Sequence, residues 1–165
     1  MQNKALVVID IQNDITKNYK NIIENLNNAI EWAQKNDMHI IYIRHENTSP
    51  GTRTLKPNTF GSELATDLTI ASENVFTKTK SNALTSAEFQ EYIEENQIKE
   101  FFLTGADATI CVKSTCYNMT KAGYQVNVIS DCITSWDPKK IDEMLVYYKN
   151  KGAEVMSIEE AYVIG

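Results

Sequence analysis

Three features of the chain predict an α/β fold of the Rossmann-like, doubly wound kind, with a mostly parallel six-stranded sheet and helices on both faces. Short apolar runs alternate with stretches of helical periodicity. The first run is solidly apolar, as a strand covered on both faces should be. The length of 165 residues, 42% of them hydrophobic, suits one domain with one core, residues 1–165.

Residues 5–11 form the first strand-like run, with Asp10 near its end. Ile22, Leu26, Ala29, Ile30 and Ala33 recur at helical spacing, which predicts a helix over 21–35. The second strand is expected at 39–44. Residues 46–61 contain Pro50, Gly51, Pro57 and Gly61 and read as a long loop, a common form for a lid over a site. A short helix is expected at 63–68 and a third strand at 74–77. Thr85 and Glu88 have the spacing of a capping box, opening a helix that runs to Asn96. A strand at 99–104 precedes a helix at 110–122 that Gly123 stops. The next strand is 125–130. Asp137-Pro138 then suits the first positions of a helix carrying Ile141, Leu145 and Tyr148. Gly152 ends it, 153–156 is the sixth strand, and Ser157 with Glu160 caps a terminal helix.

The formal charge of -6 is spread along the chain, with no dense basic patch, so neither nucleic acid nor an anionic membrane is an expected partner. No signal-peptide pattern precedes the first strand, and no apolar run reaches membrane-span length. Three cysteines, an odd count, read as reduced thiols in a cytoplasmic protein.

Sites in doubly wound sheets lie beyond the carboxyl ends of the strands. Three loaded points fall there. Cys111 follows the turn from Gly105 to Ile110 and opens a helix, where the helix dipole and free N–H groups favour a thiolate and can bind an oxyanion. A small buried core residue is the competing reading for Cys111. Cys116 shares the helix with Val112 and Met119 and reads as core. Asp10 ends an apolar strand and suits a general base, or else a loop anchor; Asp14 fits the anchoring role better. Lys78 ends the third strand, where an ammonium would hold a carboxylate and a thiolate charged.

The runs Val7-Val8-Ile9-Asp10-Ile11-Gln12-Asn13-Asp14, Thr77-Lys78-Thr79-Lys80-Ser81-Asn82-Ala83-Leu84 and Gly105 through Cys111-Val112 occur in that order. They are followed by Ser114-Thr115, Gly123-Tyr124-x-Val126 and Ser130-Asp131. Together they resemble the isochorismatase-like hydrolases over nearly the whole chain. Lys78, not Lys80, has the family's gap to the Asn-Ala pair, and Leu84 replaces the usual Phe. Ala108-Thr109 departs from the common family pattern before the cysteine. The resemblance implies an Asp10–Lys78–Cys111 triad. It also implies a cis peptide between Ala106 and Asp107 that turns the Asp107 N–H, with that of Cys111, into an oxyanion hole.

Nicotinamidases of this family carry a metal on an Asp and several histidines after the second strand. Here only His39 and His45 are present, His39 at the start of a strand, so no metal, no other cofactor and no nicotinamidase activity are expected. The expected reaction is cleavage of an amide-type C–N bond of a small molecule through a thioester. Vinyl-ether hydrolysis and a non-catalytic binding protein are the alternatives on the same fold, and a Cys111–Cys116 redox pair is a further reading. Candidate pocket residues are Ile11, Asn13, Arg44, His45, Phe60 and Trp136. Arg44 would pair with a substrate carboxylate or else stand in a surface salt bridge. Relatives commonly assemble, so a homodimer or homotetramer is expected.

Overall fold

A computed structural model describes residues 3–164. Its six strands are β1 (Lys4–Ile9), β2 (His39–His45), β3 (Val75–Lys78), β4 (Glu100–Gly105), β5 (Gln125–Ile133) and β6 (Glu154–Met156). They form one sheet in the order β3-β2-β1-β4-β5-β6, and every pair is parallel. The helices are α1 (Asn13–Thr16), α2 (Ile23–Lys35), α3 (Ala87–Glu95), α4 (Cys111–Lys121), α5 (Ile141–Asn150) and α6 (Ile158–Ile164).

The apolar runs are solid because both sheet faces are covered. On β1, Ala5, Val7 and Ile9 join one core with Phe89, Val112, Cys116 and Tyr148, from α3, α4 and α5. Leu6 and Val8 join the other, with Leu26, Ile30 and Ala33 from α2 and Ala161 from α6. This alternation is the period of a strand, and each face buries apolar area worth roughly 25 cal/mol per Å².

Two expected elements differ. Residues 63–68 are not a helix. Leu64 bridges Gln12 and the Ala65 N–H donates to the Ile11 carbonyl at 2.9 Å, just past β1, and the chain then turns, with the Leu68 N–H donating to the Ala65 carbonyl at 3.0 Å. Helix α3 starts one residue later than the capping box suggests. Ser86, not Thr85, is its N-cap and accepts from the Phe89 N–H, while Thr85 closes a 3-10 turn over Ala83–Thr85. At α6 the reciprocal cap is present: Ser157 Oγ accepts from the Glu160 N–H, and Glu160 Oε1 accepts from the Ser157 N–H.

Strand order reverses between β1 and β4, so the crevice opens where these two strands end. Gly105 closes β4 at φ +113, and a Cβ there would lie 2.1 Å from the Ile9 carbonyl oxygen. Only glycine lets the backbones approach so closely. Gly105→Ala is expected to destabilise the protein by about 2 kcal/mol or more. A urea titration checks this, and an unchanged midpoint would show that the approach is not required.

Candidate active site

Asp10, Lys78 and Cys111 come from three parts of the chain and meet at the carboxyl edge of the sheet. Asp10 directly follows β1 with φ 57, a left-handed conformation that Asp tolerates better than most side chains. Lys78 ends β3, and its register partner on β2 is His45. Cys111 is the first residue of α4. The Lys78 ammonium lies 3.2 Å from Asp10 Oδ2 and 3.3 Å from Cys111 Sγ. Asp10 and Lys78 are each 3% exposed and Cys111 is 9% exposed, so a buried ion pair sits beside a buried sulfur. Asp10 Oδ1 is buried without a hydrogen-bond partner among the described residues. A carboxylate oxygen left bare in this way is a ready proton acceptor.

Burial pushes the Cys111 thiol up to about 12, with the Asp10 charge adding to the rise and Lys78 opposing it. The resting group is therefore a thiol, against the expectation that its place at the helix start favours a thiolate. Desolvation outweighs the dipole here. Burial likewise raises Cys116 and Cys132. Cys111 is set apart by its contacts with Lys78 and Asp10. The redox reading of Cys111 with Cys116 fails on geometry. Both lie in α4, and a five-residue helical separation puts their Cα atoms about 8.6 Å apart, too far for a disulfide.

The peptide between Ala106 and Asp107 is cis. The N–H groups of Asp107 and Cys111 donate to no group among the described residues. The Asp107 carboxylate is a structural hub. Oδ1 accepts from the Thr109 N–H and hydroxyl and from the Ser135 hydroxyl, at 2.8–2.9 Å. Oδ2 accepts from the Tyr19 hydroxyl at 3.0 Å and the Trp136 N–H at 2.9 Å. Burial pushes Asp107 up, but the bonds from Trp136, Thr109 and Ser135 outweigh it and hold the carboxyl below its usual range.

The remaining candidate residues divide. His45 reaches the triad, its Nδ1 lying 2.9 Å from Lys78 Nζ. Phe60 and Trp136 are both 67% exposed, and the Trp136 ring packs against Tyr19 with centroids 6.1 Å apart. Ile11 is 1% exposed in the core beneath α2, which leaves it no face for a ligand. Asn13 donates to the Phe60 carbonyl and accepts from Thr66, so it anchors a loop. Arg44 is not free to bind a carboxylate. Its guanidinium donates to the Ser62 carbonyl and hydroxyl and to Thr77 Oγ1, and it pairs with Glu46 at 3.5 Å. Asp14 has the expected anchoring role, with Oδ2 accepting from the Leu55 N–H at 2.8 Å. His39 is buried and bonds the Tyr92 hydroxyl at 2.8 Å, as a structural histidine should.

Gln12 is a positioning residue that stood in the first motif without an assigned role. It is fully buried, pairs with both backbone groups of His45 at 2.9 Å and donates to the Ser62 carbonyl at 2.7 Å. Its signal was a polar side chain directly after an apolar strand, which must find partners. Thr115 does similar work on α4, accepting from the Ala83 N–H at 3.0 Å and tying the segment after Lys78 to the helix.

Asp10, His45 and Cys111 bring three potential metal-ligand atoms within 4.8 Å of one another. The Lys78 ammonium is within hydrogen-bond distance of all three. Those atoms serve a resident cation of the protein itself, and a metal ion does not fit beside it.

A family model described as the Isochorismatase domain matches residues 4–160. The chain belongs to the isochorismatase family. Isochorismatase family protein 2A of Dictyostelium discoideum is 29% identical over 160 residues, covering 94% of this chain and 78% of that protein. The fold matches an isochorismatase family protein from Desulfovibrio vulgaris with a TM-score of 0.90 at 16% identity, over 99% and 98% of the two chains. It also matches a nicotinamidase from Bacillus subtilis with a TM-score of 0.82 at 21% identity, over 94% of this chain and all of the other. The protein is thus an isochorismatase-family hydrolase with an all-parallel α/β fold. None of the helices formed by the described residues is long and apolar enough to cross a membrane.

Proposed function

We propose that this hydrolase cleaves an amide-type C–N bond of a small molecule through a thioester on Cys111. The observation that carries the reading is the single ammonium of Lys78 held between Asp10 and Cys111, with two N–H groups that have no acceptor among the described residues. The likeness in fold to a nicotinamidase, whose name states an amide substrate, supports it.

In this reading the Cys111 S–H proton passes to Asp10 as sulfur attacks the carbonyl carbon. The thiol's raised pKa makes the transfer part of the attack rather than a prior ionisation. The carbonyl electron pair moves to oxygen, where the Asp107 and Cys111 N–H groups stabilise it. Collapse breaks the C–N bond, and the amine or ammonia leaves with the proton from Asp10. Water then attacks the thioester, giving its proton to Asp10. The C–S bond breaks and Asp10 returns the proton to sulfur. Lys78 holds the Asp10 carboxylate in place and offsets the charge developing on sulfur.

The test is a panel of small primary amides with ammonia detection, quenched in acid during turnover for peptide mass mapping. Ammonia release together with an acyl adduct on the Cys111 peptide is the expected result. Turnover of a vinyl ether with no adduct and no amide hydrolysed would overturn the proposal in favour of the other chemistry.

A further inference from the structure

The Lys78 ammonium has three N–H donors, and two acceptors are the carboxylate and sulfur already described. The third is His45 Nδ1 at 2.9 Å. The ring is held from its far side, since Nε2 lies 2.9 Å from Asn47 Oδ1. Asn47 is oriented by its own amide group, which donates to the Thr54 carbonyl at 3.0 Å, so the atom facing His45 is an oxygen that only accepts. Lysine only donates. The two contacts therefore specify one tautomer, with the proton on Nε2 and a lone pair on Nδ1. Gln12 fixes the backbone of the same residue on both its N–H and its carbonyl.

We propose that His45 is a positioning residue for the triad: as the neutral Nε2–H tautomer it accepts the third N–H of Lys78 and aims the ammonium at Asp10 and Cys111, and its protonation in acid releases that ammonium. This rests on the reading of Cys111 as nucleophile.

The charged and titratable groups facing the ring are Lys78 from β3, Asp10 from the end of β1 and Cys111 from the start of α4. Asn47 faces it from the loop without charge. Along its own chain, Arg44 and Glu46 pair with each other. Burial lowers the His45 pKa below its ordinary value, with Lys78 acting in the same direction, while Asp10 and the Asn47 bond oppose them. The ring is neutral at neutral pH. Once protonated, Nδ1–H has no lone pair for Lys78, and two cations face each other across a hydrogen-bond distance. One of them must move, and the ammonium loses its aim. Sulfur then loses its cation and Asp10 its defined partner.

The experiment reads Cys111 alkylation by iodoacetamide, which needs no substrate, together with 15N spectra of the imidazole rings. The chain has two histidines, so His45→Gln assigns the signals. At neutral pH the wild-type ring is expected to carry its proton on Nε2. His45→Ala is expected to slow Cys111 alkylation about tenfold near neutral pH. His45→Gln, whose amide oxygen accepts but does not titrate, is expected to keep most of the rate. The wild-type to His45→Gln rate ratio is expected to be flat at neutral pH and to fall in acid as the ring protonates. An Nδ1–H tautomer, a wild-type rate in His45→Ala, or a ratio constant from neutral to acid pH would each overturn the proposal. A Cys111 that is inert in the wild type would overturn the nucleophile reading as well. An active Cys111 without amide turnover would leave the role of His45 standing and overturn only the choice of substrate.

Discussion

Cys111→Ala is expected to lower amide turnover by about 10⁴-fold or more, because the covalent route loses its only nucleophile at the triad. The substitution is unusually clean. Cys111 makes its polar contact through sulfur alone, and the Asp10–Lys78 pair beside it does not depend on that atom. The fold should therefore survive, with a denaturation midpoint near that of the wild type, and the lost activity can be assigned to chemistry. Ammonia release measured side by side in the two proteins decides it. Retained turnover in Cys111→Ala would mean that the bond is broken without sulfur. The site would then be working by proton transfer from Asp10 alone, as cleavage of a vinyl ether would allow.

Lys78→Met is expected to cost about 3–5 kcal/mol of stability, as removing one partner of a buried ion pair does. Methionine keeps an unbranched stem of similar reach, so packing is largely preserved. What goes is the positive charge. Asp10 is left as a buried carboxylate with one oxygen that has no partner among the described residues and the other newly stripped of Lys78. Urea melts of both proteins at neutral pH measure this. Equal stability of the two proteins would mean that the Lys78–Asp10 pair does not help to hold the fold.

His45 gives the protein a pH dependence of defined sign. Its pKa is lower in the folded protein than in the unfolded chain, so its contribution to stability is fully present above the ordinary histidine value. That contribution is lost as pH falls through the folded pKa, because the unfolded chain takes up the proton first. The same protonation disturbs the triad.

The fold was legible in the sequence because its strands are solid apolar runs and its helices carry an apolar stripe, and both patterns are local. The expected second strand at 39–44 is observed one residue longer, as His39–His45. Errors arose where local pattern and tertiary contact disagree. Leu64, Ala65 and Leu68 have helix-like spacing, yet Leu64 and Ala65 pair with Gln12 and Ile11 just past β1, and Leu68 closes a turn on Ala65. Asp10, Lys78 and Cys111 were each ambiguous alone and became readable through the ordered motifs around them. Arg44 stayed open between a substrate carboxylate and a salt bridge because its partners Ser62 and Thr77 lie 18 and 33 residues away and no periodicity encodes them. The hub at Asp107, with Tyr19 88 residues away, was hidden for the same reason.

The anchoring of Ser62 bears on how this protein can diverge. Arg44 and Gln12 both hold the Ser62 carbonyl, and Gln12 holds the His45 backbone as well. The long loop is thus stapled at its two roots, next to the triad, while Phe60 and much of the stretch between stand in solvent. Within the stretch, Asn47 holds the His45 ring, Thr54 orients Asn47, and Leu55 bonds Asp14, so these three positions are tied to the site and its anchors. The exposed remainder can change in length and sequence without moving the reacting groups, which makes it an exchangeable cassette bounded by fixed points. Chimeras that swap only this remainder, with Asn47, Thr54 and Leu55 kept, are expected to fold with the triad in place.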